Sequence, residues 1–180
     1  MYRRIDVLVE GRDDREFFNA VIRPILEQRH EYVQLWEYAG ATIEKRIRYI
    51  KSIRAMNAEF VLVTDINASP CITEKKARVG EQHKGVIDPD HMIVVRQEIE
   101  GWYLAGLDDQ TCQELGVRSI PRTDDVTKEQ FRCMIPERFA GSAIDFMREI
   151  LKVFRVDVAR EKNRSFHYLM DRLEKQSGEA

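Results

Sequence analysis

The stretch Ile5-Asp6-Val7-Leu8-Val9-Glu10-Gly11-Arg12-Asp13-Asp14 decides the fold. A short apolar, β-branched run stops at a carboxylate, passes through a glycine with no Cβ to hinder a turn, and enters an amphipathic segment opened by two acids. This reads as a strand, a tight turn and a helix N-terminus. It sets Glu10 at the carboxyl end of a strand, where open α/β sheets keep their active sites. A second such place is Phe60-Val61-Leu62-Val63-Thr64-Asp65-Ile66-Asn67. Two strand-end carboxylates from one sheet point to a site for a hard divalent cation.

Outward from that stretch, strand and helix alternate. Residues 4–9 read as the first strand. Residues 13–28 carry Phe17, Phe18, Val21, Ile22, Ile25 and Leu26 at helical spacing, with Asp13 as N-cap. Pro24 predicts a kink or an end close to Arg23. Tyr32 to Tyr38 is a second strand with Ala39-Gly40-Ala41 as its turn, and Thr42 caps a helix through about Met56. Residues 59–64 are a third strand, apolar throughout as expected for one covered on both faces. From Ala68 to Pro89 the pattern is weak, with a charged segment Thr73–Gln82 of short-helix character and a turn at Asp88-Pro89-Asp90.

His91 to Arg96 is a fourth strand, and Glu98 to Leu107 runs on as a helix. Asp108 caps a further helix that stops at Gly116. Residues 117–140 read as loop, broken by Pro121 and Pro136. Two amphipathic helices close the chain, marked by Ile144, Met147, Leu151 and Phe154, then by Phe166, Leu169, Met170 and Leu173. Gln176 onward reads as a frayed tail. Strands separated by helices imply parallel pairing with right-handed crossovers. The fold class is therefore α/β: a Rossmann-like three-layer arrangement with a mainly parallel sheet of about four strands and added C-terminal helices. Residues 1–107 form the α/β core, and 108–180 a helical extension packed on the same domain.

Composition bounds the rest. The 180 residues suffice for one domain with a real core. Twenty-nine Lys plus Arg against 31 Asp plus Glu give a net charge of −2, so any basic surface for nucleic acid must be local. Cys71, Cys112 and Cys133 show no CxxC spacing and read as small buried hydrophobes in a reducing compartment. No apolar run approaches a membrane span, and the apolar stretch after Arg3 and Arg4 is cut short by Glu10, unlike a signal peptide. The expected setting is cytoplasmic.

Glu10, Asp14, Asp65 and Asn67 are the candidate ligands. Asp14 stands four residues beyond Glu10, on the first helical turn, where the helix dipole favours a carboxylate. Asp65 and Asn67, two apart in extended chain, are expected to share a face. If the first and third strands are neighbours, these groups converge on an oxygen-rich pocket suited to magnesium, with Glu98 and Glu100 completing a second metal position. Simpler readings stand beside these. Asp13 or Asp14 alone serves as a helix cap, Asn67 as a turn former, and Glu98 and Glu100 as solvated acids at a helix start. Lys45, Arg46, Arg48, Lys51 and Arg54 make a solvated basic helix face or a phosphate track. Trp102 and Tyr103 fit a core. The four histidines have no ligand spacing, and neither GxGxxG nor GxxxxGK[ST] occurs.

A strand ending in Glu10-Gly11, Asp14 four residues on, and a later strand ending in Asp65-Ile66-Asn67 together resemble the Toprim domain of topoisomerases, bacterial primases and the overcoming-lysogenization-defect (OLD) nucleases. Val95-Arg96-Gln97-Glu98-Ile99-Glu100-Gly101-Trp102-Tyr103-Leu104-Ala105 and Arg164-Ser165-Phe166-His167-Tyr168-Leu169 are similar to a family of small Toprim-like proteins. The resemblance implies a Mg2+ or Mn2+ site on Glu10, Asp14, Asp65 and Asn67, with Glu98 or Glu100 nearby. It gives Glu10 acid–base work, and Asp65 joins it as a catalytic residue. Two departures stand out. Asn67 replaces a second aspartate, and no lysine for transition-state stabilisation is evident beyond Lys152 and Lys162.

Three functions follow as expectations. The first is a metal-dependent phosphodiesterase (nuclease) acting on DNA or RNA, in phage defence or RNA processing. The second is a non-catalytic Toprim-like binding or regulatory module serving an ATPase partner. The third is a receiver-like phosphoacceptor at Asp65, disfavoured because Glu10-Gly11 stands where receivers carry an acidic pair.

Overall fold

A computed structural model describes residues 3–175, and the tail expected from Gln176 onward lies outside the described residues. The chain packs as two compact units divided at the Val94–Val95 bond, whereas the sequence reading set its boundary at Leu107.

The first unit runs β1 (Arg4–Val9), α1 (Arg12–Phe17), α2 (Arg23–Leu26), β2 (Tyr32–Glu37), α3 (Ile43–Ala55), β3 (Glu59–Asp65) and α4 (Ile72–Gln82), and holds all but the last residue of β4 (Met92–Val95). All four expected strands are present. They form one parallel sheet in the order β2-β1-β3-β4. In register, Arg4 faces Tyr32 and Val9 faces Glu37 on one side of β1, while Ile5 faces Glu59 and Leu8 faces Leu62 on the other.

The crossover from β1 to β2 moves one way across the sheet, and that from β2 to β3 moves back past β1. Right-handed crossovers therefore put α1 and α3 on opposite faces. On one face Leu8, Phe60 and Leu62 pack with Ile50, Ile53 and Val79. The strand order reverses between β1 and β3, which makes their carboxyl ends the topological switch point.

Between α1 and α2 the helix widens into a π-turn, Phe18–Ile22, in which Arg23 N–H reaches the carbonyl of Phe18. Of the kink or end expected close to Arg23, the end does not occur: Pro24 is accommodated by this irregular turn. In a regular α-helix its ring would strike the carbonyl of Ala20 and its missing N–H would break the ladder. The wide turn relieves both, and the helix runs on to Leu26. The N-cap is Gly11 rather than Asp13.

Asp6, in mid-strand, is fully buried. Arg4 donates to both its carboxylate oxygens, at 2.7 and 2.9 Å, and the Tyr49 hydroxyl donates at 2.7 Å. A buried charge needs such partners.

The second unit is helical: α5 (Glu100–Ala105), α6 (Asp109–Leu115), α7 (Lys128–Cys133), α8 (Ala143–Lys152), α9 (Val156–Lys162) and α10 (Arg164–Lys175). Asp108 and Gly116 bound α6 as expected, the latter at a φ of 75°. Two helices were not expected. One is α7, within the stretch read as loop, whose capping box Thr127-x-x-Gln130 was a legible signal. The other is α9, which sits between the two expected closing helices.

The Val95–Ala105 motif and the Arg164–Leu169 motif interlock. Trp102 Nε1 donates to Ser165 Oγ at 2.8 Å, Ser165 donates to Asn163 Oδ1 at 2.8 Å, and Asn163 Nδ2 donates to Thr123 at 3.1 Å. Trp102 and Tyr103 are buried, as core residues. A Cβ on Gly101 would lie 2.7 Å from the Thr123 carbonyl oxygen, so only glycine lets these backbones approach. Cys112 is buried, but Cys71 and Cys133 are exposed, contrary to expectation. Cys71 instead caps α4, its Sγ accepting from Glu74 N–H. No helix among the described residues is long and apolar enough to cross a membrane.

Candidate metal centre

Parallel pairing of β1 with β3 puts Glu10 and Asp65 on the same edge of the sheet. Continuing the register past Leu8 and Leu62 sets Glu10 beside Thr64, with Asp65 one residue beyond. The Glu10 carbonyl accepts from Ala39 N–H at 3.0 Å, which fixes the strand end against the turn after β2. Gly11 is extended, with φ −139° and ψ −168°, and a Cβ there would meet only Asp14 at 3.7 Å. The turn therefore does not demand glycine, contrary to the argument from sequence.

Asp14 is buried, and one of its oxygens accepts from Gly11 N–H at 3.2 Å. Its capping role is thus real, and it holds the carboxylate against the turn that carries Glu10. Asp65 ends β3, with its Oδ1 buried. Asn67 lies beyond the strand at a φ of 49°, its amide donating to the Asp65 carbonyl at 3.3 Å. The alternation argument for Asp65 and Asn67 therefore fails, because the chain turns between them. Asparagine adopts this left-handed conformation readily, which explains its use in the turn.

Glu10 and Asn67 line one cavity of about 220 Å3, together with Tyr38, Arg46, Lys75 and His83. Asp14 and Asp65 are not among its lining residues. Tyr38 donates to the Val63 carbonyl at 2.8 Å. Burial raises its pKa, and the charges of Glu10 and Asp14 raise it further. Burial lowers the pKa of Lys75, while Glu10 and Asp65 act to raise it. Lys75 is thus within electrostatic reach of both strand-end acids.

Lys75 is the cation beside the strand-end acids that the sequence did not reveal. Lys152 pairs with Glu149 at 2.5 Å, and the Lys162 ammonium donates to the Leu107 carbonyl at 2.6 Å, so both earlier candidates are engaged elsewhere. The available signal was a lysine one turn into the helix that follows the Asp65 strand. Of the basic cluster on α3, Lys45, Arg48 and Lys51 are solvated and Arg54 pairs with Asp88 at 2.7 Å. Arg46 alone turns to the cavity.

Glu98 and Glu100 belong to the second unit, where both engage Lys128. Glu98 accepts from the Lys128 backbone N–H at the start of α7, and the Lys128 ammonium stands 3.5 Å from Glu100. Glu100 is buried, so the solvated reading does not hold for it. Burial raises its pKa, with its own helix-start N–H and Lys128 opposing and Glu98 adding to the rise.

Among the described residues no three His, Cys, Asp or Glu side chains are gathered at metal-binding spacing. By donor type, however, Glu10, Asp14, Asp65 and Asn67 suit a hard divalent cation. No described residue hydrogen-bonds the Glu10 carboxylate. A half-buried carboxylate with its acceptors unused is a fit for such an ion.

No family model matches the chain, and no curated protein matches it. Solved structures do. The C-terminal region of the Burkholderia pseudomallei OLD protein superposes with a TM-score of 0.53 at 16% identity, covering 96% of this chain and 100% of that one. The C-terminal region of the Xanthomonas campestris pv. campestris OLD protein gives 0.51 at 17% identity, over 98% of both chains. The chain thus has the Toprim-like fold of the C-terminal region of OLD proteins.

Proposed function

We propose that the protein is a divalent-metal-dependent phosphodiesterase acting on DNA or RNA, with Mg2+ or Mn2+ held by Glu10, Asp14 and Asp65 and by the amide of Asn67. The observation that carries this reading is the pair Glu10 and Asp65, on adjacent parallel strands flanking the switch point. When bound, the ion supplies Lewis-acid charge for a phosphoryl oxygen and acidifies an attacking water. Glu10 accepts that water's proton on its carboxylate. Asp14, braced by Gly11, and Asp65, fixed at the strand end, hold position. Asn67 contributes no charge where an aspartate would, which weakens ion binding without abolishing it. Lys75 and Arg46 supply positive charge for the substrate phosphate. Glu98 and Glu100 act by anchoring Lys128 and the start of α7.

The test is incubation of the purified protein with plasmid DNA and with structured RNA, with and without Mg2+ or Mn2+. Cleavage should need the ion and be lost in Glu10→Ala and Asp65→Ala. No cleavage of either substrate, or wild-type rates in both variants, rejects the reading.

Two observations favour a second reading, a non-catalytic module serving an ATPase partner. The described residues hold no ready-gathered ligand trio, and the matched structures are C-terminal regions of proteins. A calorimetric titration in which neither Mg2+ nor Mn2+ binds would establish it over the first.

A further inference from the structure

We infer that the exposed face of α3 is a docking ridge for the phosphate backbone of duplex nucleic acid. The inference rests on the nuclease reading for its class of ligand, and it uses none of the residues assigned there.

Lys45, Arg48 and Lys51 follow one another at intervals of three, which lines them up along one ridge of the helix. All three are exposed. On the opposite face Ile47, Ile50 and Ile53 are buried, so the core beneath fixes where the ridge points.

Elsewhere in this unit, surface cations are neutralised. Arg12, Arg15, Arg23, Arg54 and Arg78 each stand 2.7 to 3.7 Å from a carboxylate oxygen. Among the described residues no carboxylate comes within ion-pair distance of Lys45, Arg48 or Lys51. The only acid of the helix is Glu44. Its pKa is lowered by its own backbone N–H and the Thr42 hydroxyl, and then by the charges of Lys84 and Arg48. Lys84, exposed just past α4, thus stands as a fourth cation beside the ridge. Four cations against one acid leave a local excess of three positive charges, on a chain whose net charge is −2. Such an excess favours a polyanion.

Shape selects a duplex. Ser52 and Ala55, both small and exposed, keep the face low between the cations. Tyr49, the only aromatic of α3, is half-buried, its hydroxyl on Asp6 at 2.7 Å and its ring 4.3 Å from that of Trp36. A single strand calls for exposed aromatic rings on which its bases stack. A duplex presents its phosphates outward and needs only charge to hold it. Lys45 and Lys51 are about 9 Å apart along the helix axis, and that length of duplex carries about five charges. The ridge therefore meets several phosphates at once and holds a duplex without reading its sequence.

The experiment is fluorescence anisotropy of the purified protein with labelled DNA and RNA duplexes of about 20 base pairs, at about 50 to 200 mM salt. Chelator is present so that no cleavage occurs. Each phosphate contact on DNA adds about 0.9 to the slope of log affinity against log salt, so Lys45→Gln/Arg48→Gln/Lys51→Gln should flatten it by about 2.7. Affinity at the lowest salt should fall roughly tenfold or more. Arg23→Gln/Arg78→Gln/Arg148→Gln removes the same charge from paired positions and should leave the slope nearly unchanged. Matched melting curves should show both variants folded. The inference is overturned if the wild type binds neither duplex, or binds the single strand more tightly. It is equally overturned if the α3 variant keeps the wild-type slope, or if both variants flatten it alike. Metal-dependent cleavage with a slope that the α3 substitutions leave unchanged would overturn it while the nuclease reading stands. A flattened slope in a protein that never cleaves would do the reverse.

Discussion

Trp102 and Ser165, 63 residues apart, are joined by a 2.8 Å hydrogen bond from the indole Nε1 to the serine hydroxyl. The same oxygen accepts from Arg96 N–H at 3.2 Å. Ser165→Ala should therefore strand two donors in the interior, at a cost of about 1–3 kcal/mol. A urea titration should show a lower midpoint with unchanged slope. An unshifted midpoint would mean that the network contributes nothing to stability.

Two glycines make a paired test. Gly101→Ala drives a Cβ to within 2.7 Å of the Thr123 backbone oxygen, and overpacking of this kind costs about 1–3 kcal/mol. Gly40→Ala meets nothing within 4 Å and should be neutral, or stabilising by about 0.4–1 kcal/mol through the unfolded state. Thermal melts of the two proteins should move apart. Equal shifts would show that the close approach at Gly101 is soft.

Glu100 gives a pH dependence with a definite sign. Burial lifts its folded pKa above the ordinary 4.5, so the folded state holds the proton more tightly than the unfolded chain. Its contribution is most favourable below 4.5 and is lost as pH rises through the folded value. Denaturation midpoints of Glu100→Gln should lack that decline. Parallel profiles for variant and wild type would contradict it.

Asp6→Asn leaves the Arg4 guanidinium without its carboxylate. Removing one partner of a buried pair costs about 3–5 kcal/mol. Arg4 retains 25% of its side-chain exposure, so solvent should reduce this to about 2 kcal/mol. Replacing both residues with apolar ones should recover much of the loss in chemical denaturation, and an additive double variant would argue against coupling.

Asn67→Asp tests the ligand set. Aspartate tolerates the left-handed backbone at this position, and it would add the missing negative charge. Mn2+ affinity measured by calorimetry should rise several-fold, with half-maximal cleavage reached at lower ion concentration. No change would remove Asn67 from the set.

Much of the fold was legible because β1, β3 and β4 are nearly continuous apolar runs and helix caps such as Thr42, Asp108 and Gly116 are written in single residues. Alternation of strand and helix implied parallel pairing but left open the adjacency of β1 and β3, the condition for joining Glu10 to Asp65, which the strand order supplies. What was hidden depends on geometry rather than pattern. The cavity wall from α4 buries only Val79 of its helix, so Lys75 and the neighbouring His83 had no strong periodicity to announce them. The turn at Asn67 broke an alternation that holds only inside a strand. The role of Glu98 emerged only when a backbone N–H 30 residues away was found on its carboxylate.

The wide turn at Phe18–Ile22 ties a change in chain length to a change in residue type. A π-turn carries one residue more than an α-turn. Asn19 and Ala20, both exposed, mark where that surplus residue sits. Deleting either would return a plain α-helix, and the Pro24 ring would then strike the carbonyl four residues before it. Replacing Pro24 alone would leave the surplus without a purpose. The proline is therefore tolerable only while the wide turn is present, so a deletion at Asn19 or Ala20 should unfold the end of the helix unless Pro24 is replaced with it.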